Sequence, residues 1–257
     1  MDQPSNQVPV PSSSRFKSFI QLYATPLAIV VAGACIALAL YAKPPLTAVD
    51  KVVAPSIQNK EVVAEDNTQK LKNIAPVTQE DHIRGNPDAP VKIVEYSDTE
   101  CPFCKRFHVT MKQVMEAYGD SGEVAWVYRH FPLDQLHPES RKQAEASECA
   151  AELGGEDAFW KYIDRVYEVT PSNNGLKASE LPKIAAYVGL NVEAFNACLA
   201  SGRHAKKVEQ HVQNAIATGG SGTPWSIVVT KSGKTYPLSG AQPLPAIKQL
   251  IDTALQE

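Results

Sequence analysis

SDTECPFCKRF, residues 97–107, places two cysteines three positions apart directly behind a β-branched run, VKIVEYS (91–97). That run reads as a short buried strand. Phe107, Met111, Val114, Met115 and Tyr118 then recur at helical spacing until Gly119. The cysteine pair therefore opens a helix at the end of a strand. Residues 123–131, EVAWVYRHF, alternate as a second strand, so strand, helix and strand make a βαβ unit with the helix as crossover. Residues 138–219 read as helices separated by Gly, Pro and Asn. Behind them GTPWSIVVT (222–230) is a strand and SGK (232–234) a hairpin turn. TYPLSG returns as another strand, and PLPAIKQLIDTAL (243–255) closes as a helix with proline near its first turn. The order is βαβ, helical block, ββα: an α/β chain.

Three chemistries compete for Cys101 and Cys104. Structural zinc needs four ligands, and one CxxC supplies two. His108 and His130 are near in sequence, but no second close pair follows at the usual spacing, so no metal is predicted. A permanent bridge across CxxC would close a tiny loop and gain little. A redox pair fits the placement best. A thiolate at a helix N-terminus faces unpaired N–H groups and the positive end of the dipole, which lowers its pKa. Pro102 suits the first helical position, where a missing N–H costs nothing. Cys101 is expected to be exposed at the strand end and to exchange with a partner. Cys104, one turn in, is expected to be more buried and to resolve the mixed disulfide. His108, His130, His137 and His204 read as solvated or packed. Trp126 and Trp160 read as core, and so does Trp225, with a place lining the site as its alternative.

The chain has 257 residues, a formal net charge of −3, 44% hydrophobic and 21% charged residues. It can bury a core, and without a basic excess it points to no nucleic acid. Its five cysteines leave an odd one, read as Cys35 inside the uncharged run from Phe19 to Ala42. As a helix that run spans roughly 36 Å, enough for a ~30 Å hydrocarbon core. Arg15 and Lys17 precede it and place the N-terminus in the cytoplasm. The predicted organisation is a cytoplasmic segment 1–18, a transmembrane signal anchor 19–42, a linker 43–77 and a folded domain 78–257. A cleaved signal peptide ending near ALA (37–39) and a lipoprotein signal ending at Cys35 are the alternatives. All three send the domain out of the cytoplasm, where disulfides persist.

APVKIVEYSDTECPFCKRF (89–107), with GTPWSIVV (222–229) far downstream, resembles the DsbA-like thiol:disulfide oxidoreductases of the thioredoxin superfamily, over about residues 78–257. The resemblance implies a thioredoxin-like fold with an α-helical domain inserted at about 138–219. It implies that Cys101 and Cys104 are the redox-active disulfide. It makes Pro224 the cis-proline beside them, with Thr223 before it, both binding substrate. Glu95 matches a buried acid that moves protons during exchange; its alternative is an edge-strand acid, salt-bridged or exposed. Several relatives carry a second, structural disulfide at places similar to Cys149 and Cys198. Such a loop of about 50 residues is worth roughly 4 kcal/mol in the chain-entropy model, against the alternative of two buried free thiols. One departure stands out: Phe103 replaces the histidine that the family's strong oxidants carry between the cysteines, which weakens thiolate stabilisation.

The function implied is a cofactor-free oxidase that introduces disulfides into cysteine-containing exported proteins. It would sit in a bacterial cell membrane by a single pass, with the catalytic domain on the periplasmic side, and be reoxidised by a membrane quinone-linked oxidoreductase. The alternatives are a reductase or isomerase with the same site, a metal-binding carrier module using Cys101, Cys104 and a nearby histidine, and a redox-inert binding scaffold.

Overall fold

In the computed structural model, which describes residues 69–257, the run that organises the fold is strand β2 (Val91–Ser97). It lies at the centre of a five-stranded sheet of order β1-β3-β2-β4-β5. Strand β3 (Val124–His130) runs parallel to it, and α1 (Pro102–Tyr118) supplies the crossover that a parallel pair requires. Strand β4 (Trp225–Thr230) pairs with the other side of β2, antiparallel, and β5 (Thr235–Ser239) pairs antiparallel with β4. The hairpin and closing helix α6 (Leu244–Ala254) follow the expected order.

Period-two alternation sorts β2 between two cores. Val91 and Ile93 pack with Phe107, Met111 and Val114 of α1 and Ile247 and Ile251 of α6. Val94 and Tyr96 face the other way, onto Val212 and Ala215 of α5 (Ala205–Ala217). Strand β3 was expected to alternate, yet all seven of its residues are buried. Both its faces are covered, so Arg129 needs an internal partner, and Asp81 receives it at 2.7 and 3.0 Å.

Helices α2 (Ser140–Val169), α3 (Leu181–Tyr187) and α4 (Val192–Ser201) build the insertion between β3 and α5. Ala146, Ala150, Tyr162, Leu181 and Phe195 form its separate core. The two sequence segments of α2 are joined through Gly155, whose φ of 73° only glycine adopts readily. Cys149 of α2 and Cys198 of α4 are joined by a disulfide with a Cα–Cα distance of 5.9 Å.

Two differences from the sequence reading concern the sheet. Strand β1 (His82–Gly85) was not expected and pairs antiparallel with β3 at the edge. Strand β4 begins at Trp225, because residues 222–224 are spent on a loop at the site. The predicted cytoplasmic segment, the anchor at 19–42 and most of the linker lie outside the described residues. Among the described residues no helix is long and apolar enough to cross a membrane.

Candidate active site

Cys101 is the N-cap of α1 and Pro102 its first helical residue. No side chain caps this end, so the first-turn N–H groups stay open toward the sulfurs. Cys104 is fully buried, and the Asp98 N–H donates to its Sγ at 3.4 Å. The Thr223–Pro224 peptide is cis, and the Cys101 thiol donates to the Thr223 carbonyl at 3.4 Å. Both thiols are free. The sequence thus brings together Cys101, Cys104, Thr223 and Pro224 from places 122 residues apart.

One expectation is corrected here. Cys101 was predicted to be exposed, and it is only 5% exposed. The Thr223 segment, far downstream, packs on the sulfur that the strand end alone would leave open. Phe103 takes the outer position at 54% exposure, with the Arg106 guanidinium 5.2 Å from its ring centroid.

The surroundings drive the two thiols apart. The hydrogen bond from Cys104 is the largest cause that holds the Cys101 thiol down, to about 6, against the opposing push of burial. The Thr223 side chain and the amides of Phe103 and Cys104 add to it. In the dithiol, Thr223 Oγ1 is buried without a partner, ready to donate to a Cys101 thiolate. Burial pushes Cys104 well above the ordinary thiol range, helped by its donor role and by negative charge on Cys101 and Glu95. At neutral pH the pair is therefore one thiolate and one thiol.

Glu95 is fully buried on the face of β2 that meets α1. Burial pushes its carboxyl up to about 7. One oxygen accepts from the Trp126 indole at 2.8 Å, and the other has no partner. This is a central-strand acid, the opposite of an exposed edge residue. Three hydroxyls missed in the sequence lie in the same buried region. Ser97 Oγ meets Tyr167 OH at 2.8 Å, and Tyr167 OH meets Tyr128 OH at 3.1 Å. Ser97 and Tyr128 could have been found from strand register, since Tyr128 sits opposite Glu95. Tyr167 comes from α2 and left no signal.

Other polar candidates are spent elsewhere. His108 is bonded to Asp164 at 2.7 Å, His130 to Glu148 at 2.9 Å, His137 to Asp98 at 2.9 Å and His204 to Glu152 at 2.9 Å. Trp126 and Trp160 are core, whereas Trp225 is half-buried and lines a cleft of about 570 Å³ with Thr223 and Pro224. Among the described residues, one cluster brings three metal-ligating side chains together, Cys149, Cys198 and His204, and its two sulfurs are bonded to each other.

A thioredoxin family model matches residues 77–247. The crystal structure of Pseudomonas aeruginosa DsbA2 is similar with 26% identity and a TM-score of 0.57, over 70% of this chain and 95% of that one. The chain is a DsbA-like member of the thioredoxin family. Oxidised BdbD from Bacillus subtilis shares the fold at 22% identity and a TM-score of 0.63, over 72% of this chain and 97% of that one. Wolbachia pipientis alpha-DsbA1 shares it at 24% identity and a TM-score of 0.62, over 72% and 96%. Curated relatives include a Na(+)/H(+) antiporter NhaA 1 of Mycobacterium sp. (strain KMS), 39% identical over 145 residues, which are 56% of this chain and 22% of that protein. An NhaA of Herminiimonas arsenicoxydans is 37% identical over 150 residues, or 58% and 22%. The chain spans about a fifth of the length of these relatives. Within this DsbA-like frame the chain places its thiolate without a histidine between the cysteines. Cys104, Thr223 and the helix end supply the donors instead.

Proposed function

We propose that this DsbA-like chain is a membrane-anchored, extracytoplasmic thiol:disulfide oxidoreductase that oxidises cysteine-containing exported proteins through Cys101 and Cys104. The observation that carries the reading is the split between a Cys101 thiol held at about 6 and a Cys104 thiol pushed far up, beside the Thr223 carbonyl.

The exchange runs as follows. A substrate thiolate attacks Cys101 Sγ of the oxidised pair. The Cys101–Cys104 bond breaks, and Cys104 leaves as a thiolate in a buried site that favours its protonation. Glu95, with its carboxyl at about 7, is the proton source nearest in chemistry. The substrate's second thiolate then attacks the substrate sulfur of the mixed disulfide. Cys101 departs as a thiolate, and its low pKa makes it a good leaving group. The substrate loses two electrons and the Cys101–Cys104 pair gains them. A membrane quinone-linked oxidoreductase would take them away, and residues 19–42 would hold the chain beside it.

The reduction potential of the full chain in detergent, equilibrated with glutathione, tests the direction. A Cys101 pKa of about 6, between those of thioredoxin (~7) and DsbA (~3.5), predicts a potential between about −270 and −120 mV, near about −230 mV by interpolation. A value at or below about −270 mV overturns the oxidase reading in favour of a reductase. Cys101→Ser abolishes exchange; surviving activity would assign the nucleophile elsewhere. Release from membranes by an alkaline carbonate wash would remove the anchor from the proposal.

A further inference from the structure

The disulfide of the helical insertion sits among further metal-ligating groups. Cys149 and Glu152 are three positions apart on α2, so both project from one face of the helix. Cys198 lies near the end of α4, and His204 is the N-cap of α5. Between them Gly202 ends α4 at a φ of 64°, a conformation that glycine adopts freely. The turn brings His204 back to the disulfide. Both sulfurs and a ring nitrogen of His204 lie within 4.8 Å of one another. Glu152 Oε2 completes the group, 2.9 Å from His204 Nε2 and 3.8 Å from Cys198 Sγ.

Two sulfurs, an imidazole and a carboxylate are four donors of the kind that hold zinc. While the disulfide stands, its sulfurs carry no charge and the cluster is only a cross-link. Once reduced, the same atoms supply two thiolates. Zinc–sulfur bonds of about 2.3 Å at tetrahedral angles place such sulfurs about 3.7 Å apart. Side chains on Cα atoms 5.9 Å apart reach that separation by rotation about χ1. The sulfurs are buried, whereas the side chains of His204 and Glu152 are 19% and 35% exposed, so an ion has a way in from their side. Arg203 Nη1 lies 3.4 Å from the other Glu152 oxygen, Oε1, which leaves Oε2 turned toward the sulfurs.

We propose that Cys149, Cys198, His204 and Glu152 form a zinc site that opens when the Cys149–Cys198 disulfide is reduced, so that the insertion is cross-linked either by a sulfur–sulfur bond or by zinc. A dithiol reductant breaks the Cys149–Cys198 bond. The reductant loses two electrons and two protons and becomes a disulfide, and the cysteines gain them as two thiols. Zinc(II) then replaces the two thiol protons, which pass to solvent, with no further electron transfer. Thiolates select zinc over calcium or magnesium. The 49-residue separation between α2 and α4 stays closed in both states. The site owes nothing to the exchange role of Cys101.

The test uses the full chain in detergent with Cys35, Cys101 and Cys104 all changed to serine, which leaves Cys149 and Cys198 as its cysteines. The chain is reduced with a phosphine, freed of it without air, and titrated with cobalt(II), whose thiolate charge-transfer absorption reports sulfur ligation; zinc then competes for the site. The expected result is one ion per reduced chain and no such absorption in the oxidised chain. Zinc should raise the thermal unfolding midpoint of the reduced chain and leave that of the oxidised chain in place. His204→Ala and Glu152→Gln should each weaken zinc binding at least about tenfold, since even the loss of a ligand's hydrogen-bond partner costs that much. If reduction loosens the insertion, zinc should restore its helical circular dichroism. A reduced chain that gives no cobalt–thiolate absorption, or that zinc fails to refold, overturns the site. Unchanged affinity in both His204→Ala and Glu152→Gln overturns it too.

Discussion

Replacing Cys104 by alanine isolates the largest contribution to the reactivity of Cys101. In the structure the Cys104 thiol is that contribution, ahead of Thr223 and the helix amides. A hydrogen bond to a charged group is worth about 1.5–3 kcal/mol, and one pKa unit is about 1.4 kcal/mol, so its loss moves Cys101 up by about one to two units. From about 6, the thiol then titrates at about 7–8. The thiolate fraction at pH 7 drops from roughly nine-tenths to between about a half and a tenth, and alkylation by iodoacetamide slows about two- to ninefold. Cys104→Ser keeps a donor in the same place and holds most of the shift. The assay is thiolate absorbance at 240 nm against pH, checked by alkylation rate. If Cys101 still titrates at about 6 in Cys104→Ala, or if the alanine and serine variants move together, the hydrogen bond is not what activates the nucleophile.

Thr223→Val removes the unpaired hydroxyl beside Cys101 and should raise the Cys101 pKa by less than Cys104→Ala does, in the same titration. Glu95→Gln deletes a carboxyl that titrates at about 7; the pH profile of exchange should lose an inflection near neutrality, and an unaltered profile would leave Glu95 without a proton-transfer role. Removing the Cys149–Cys198 bridge, by alanine at both positions, should lower unfolding free energy by up to about 4 kcal/mol in urea while leaving the Cys101 titration as it was. Against the opposing push of burial, His108 and Arg84 hold the Asp164 carboxyl down to about 2. Its stabilisation, about 2 kcal/mol, is therefore present above the unfolded pKa of about 3.9 and lost as pH falls through about 2. Asp164→Asn should flatten that part of an acid unfolding curve.

What could be read from the sequence was what local pattern encodes. Strand β2 is a dense β-branched run, α1 carries an apolar face with proline at one end and glycine at the other, and the CxxC sits at their junction. Strand β1 offered no such pattern: HIRG is four residues, partly exposed, and owes its conformation to its pairing with β3. The cover over Cys101 was equally hidden, because the carbonyl that meets it comes from a loop with no periodicity of its own. Glu100 reads as one more acid before a helix. Only the return of residues 175–176 to its carboxylate shows what it holds. Tyr167 left no mark in the sequence, because only packing of α2 on the sheet brings its hydroxyl to Ser97.

The long span between Cys101 and its carbonyl neighbour has a consequence for timing. A chain that emerges N-terminus first presents the CPFC segment early and Thr223 late. Until β4 adds to β2, Cys101 has Cys104 and the helix end but no Thr223 carbonyl over its sulfur. Contacts of such separation form last, since the loop between them must close first. Cys101 thus gains its cover only with the C-terminal ββα half. Completion of the fold turns an open sulfur into a guarded one.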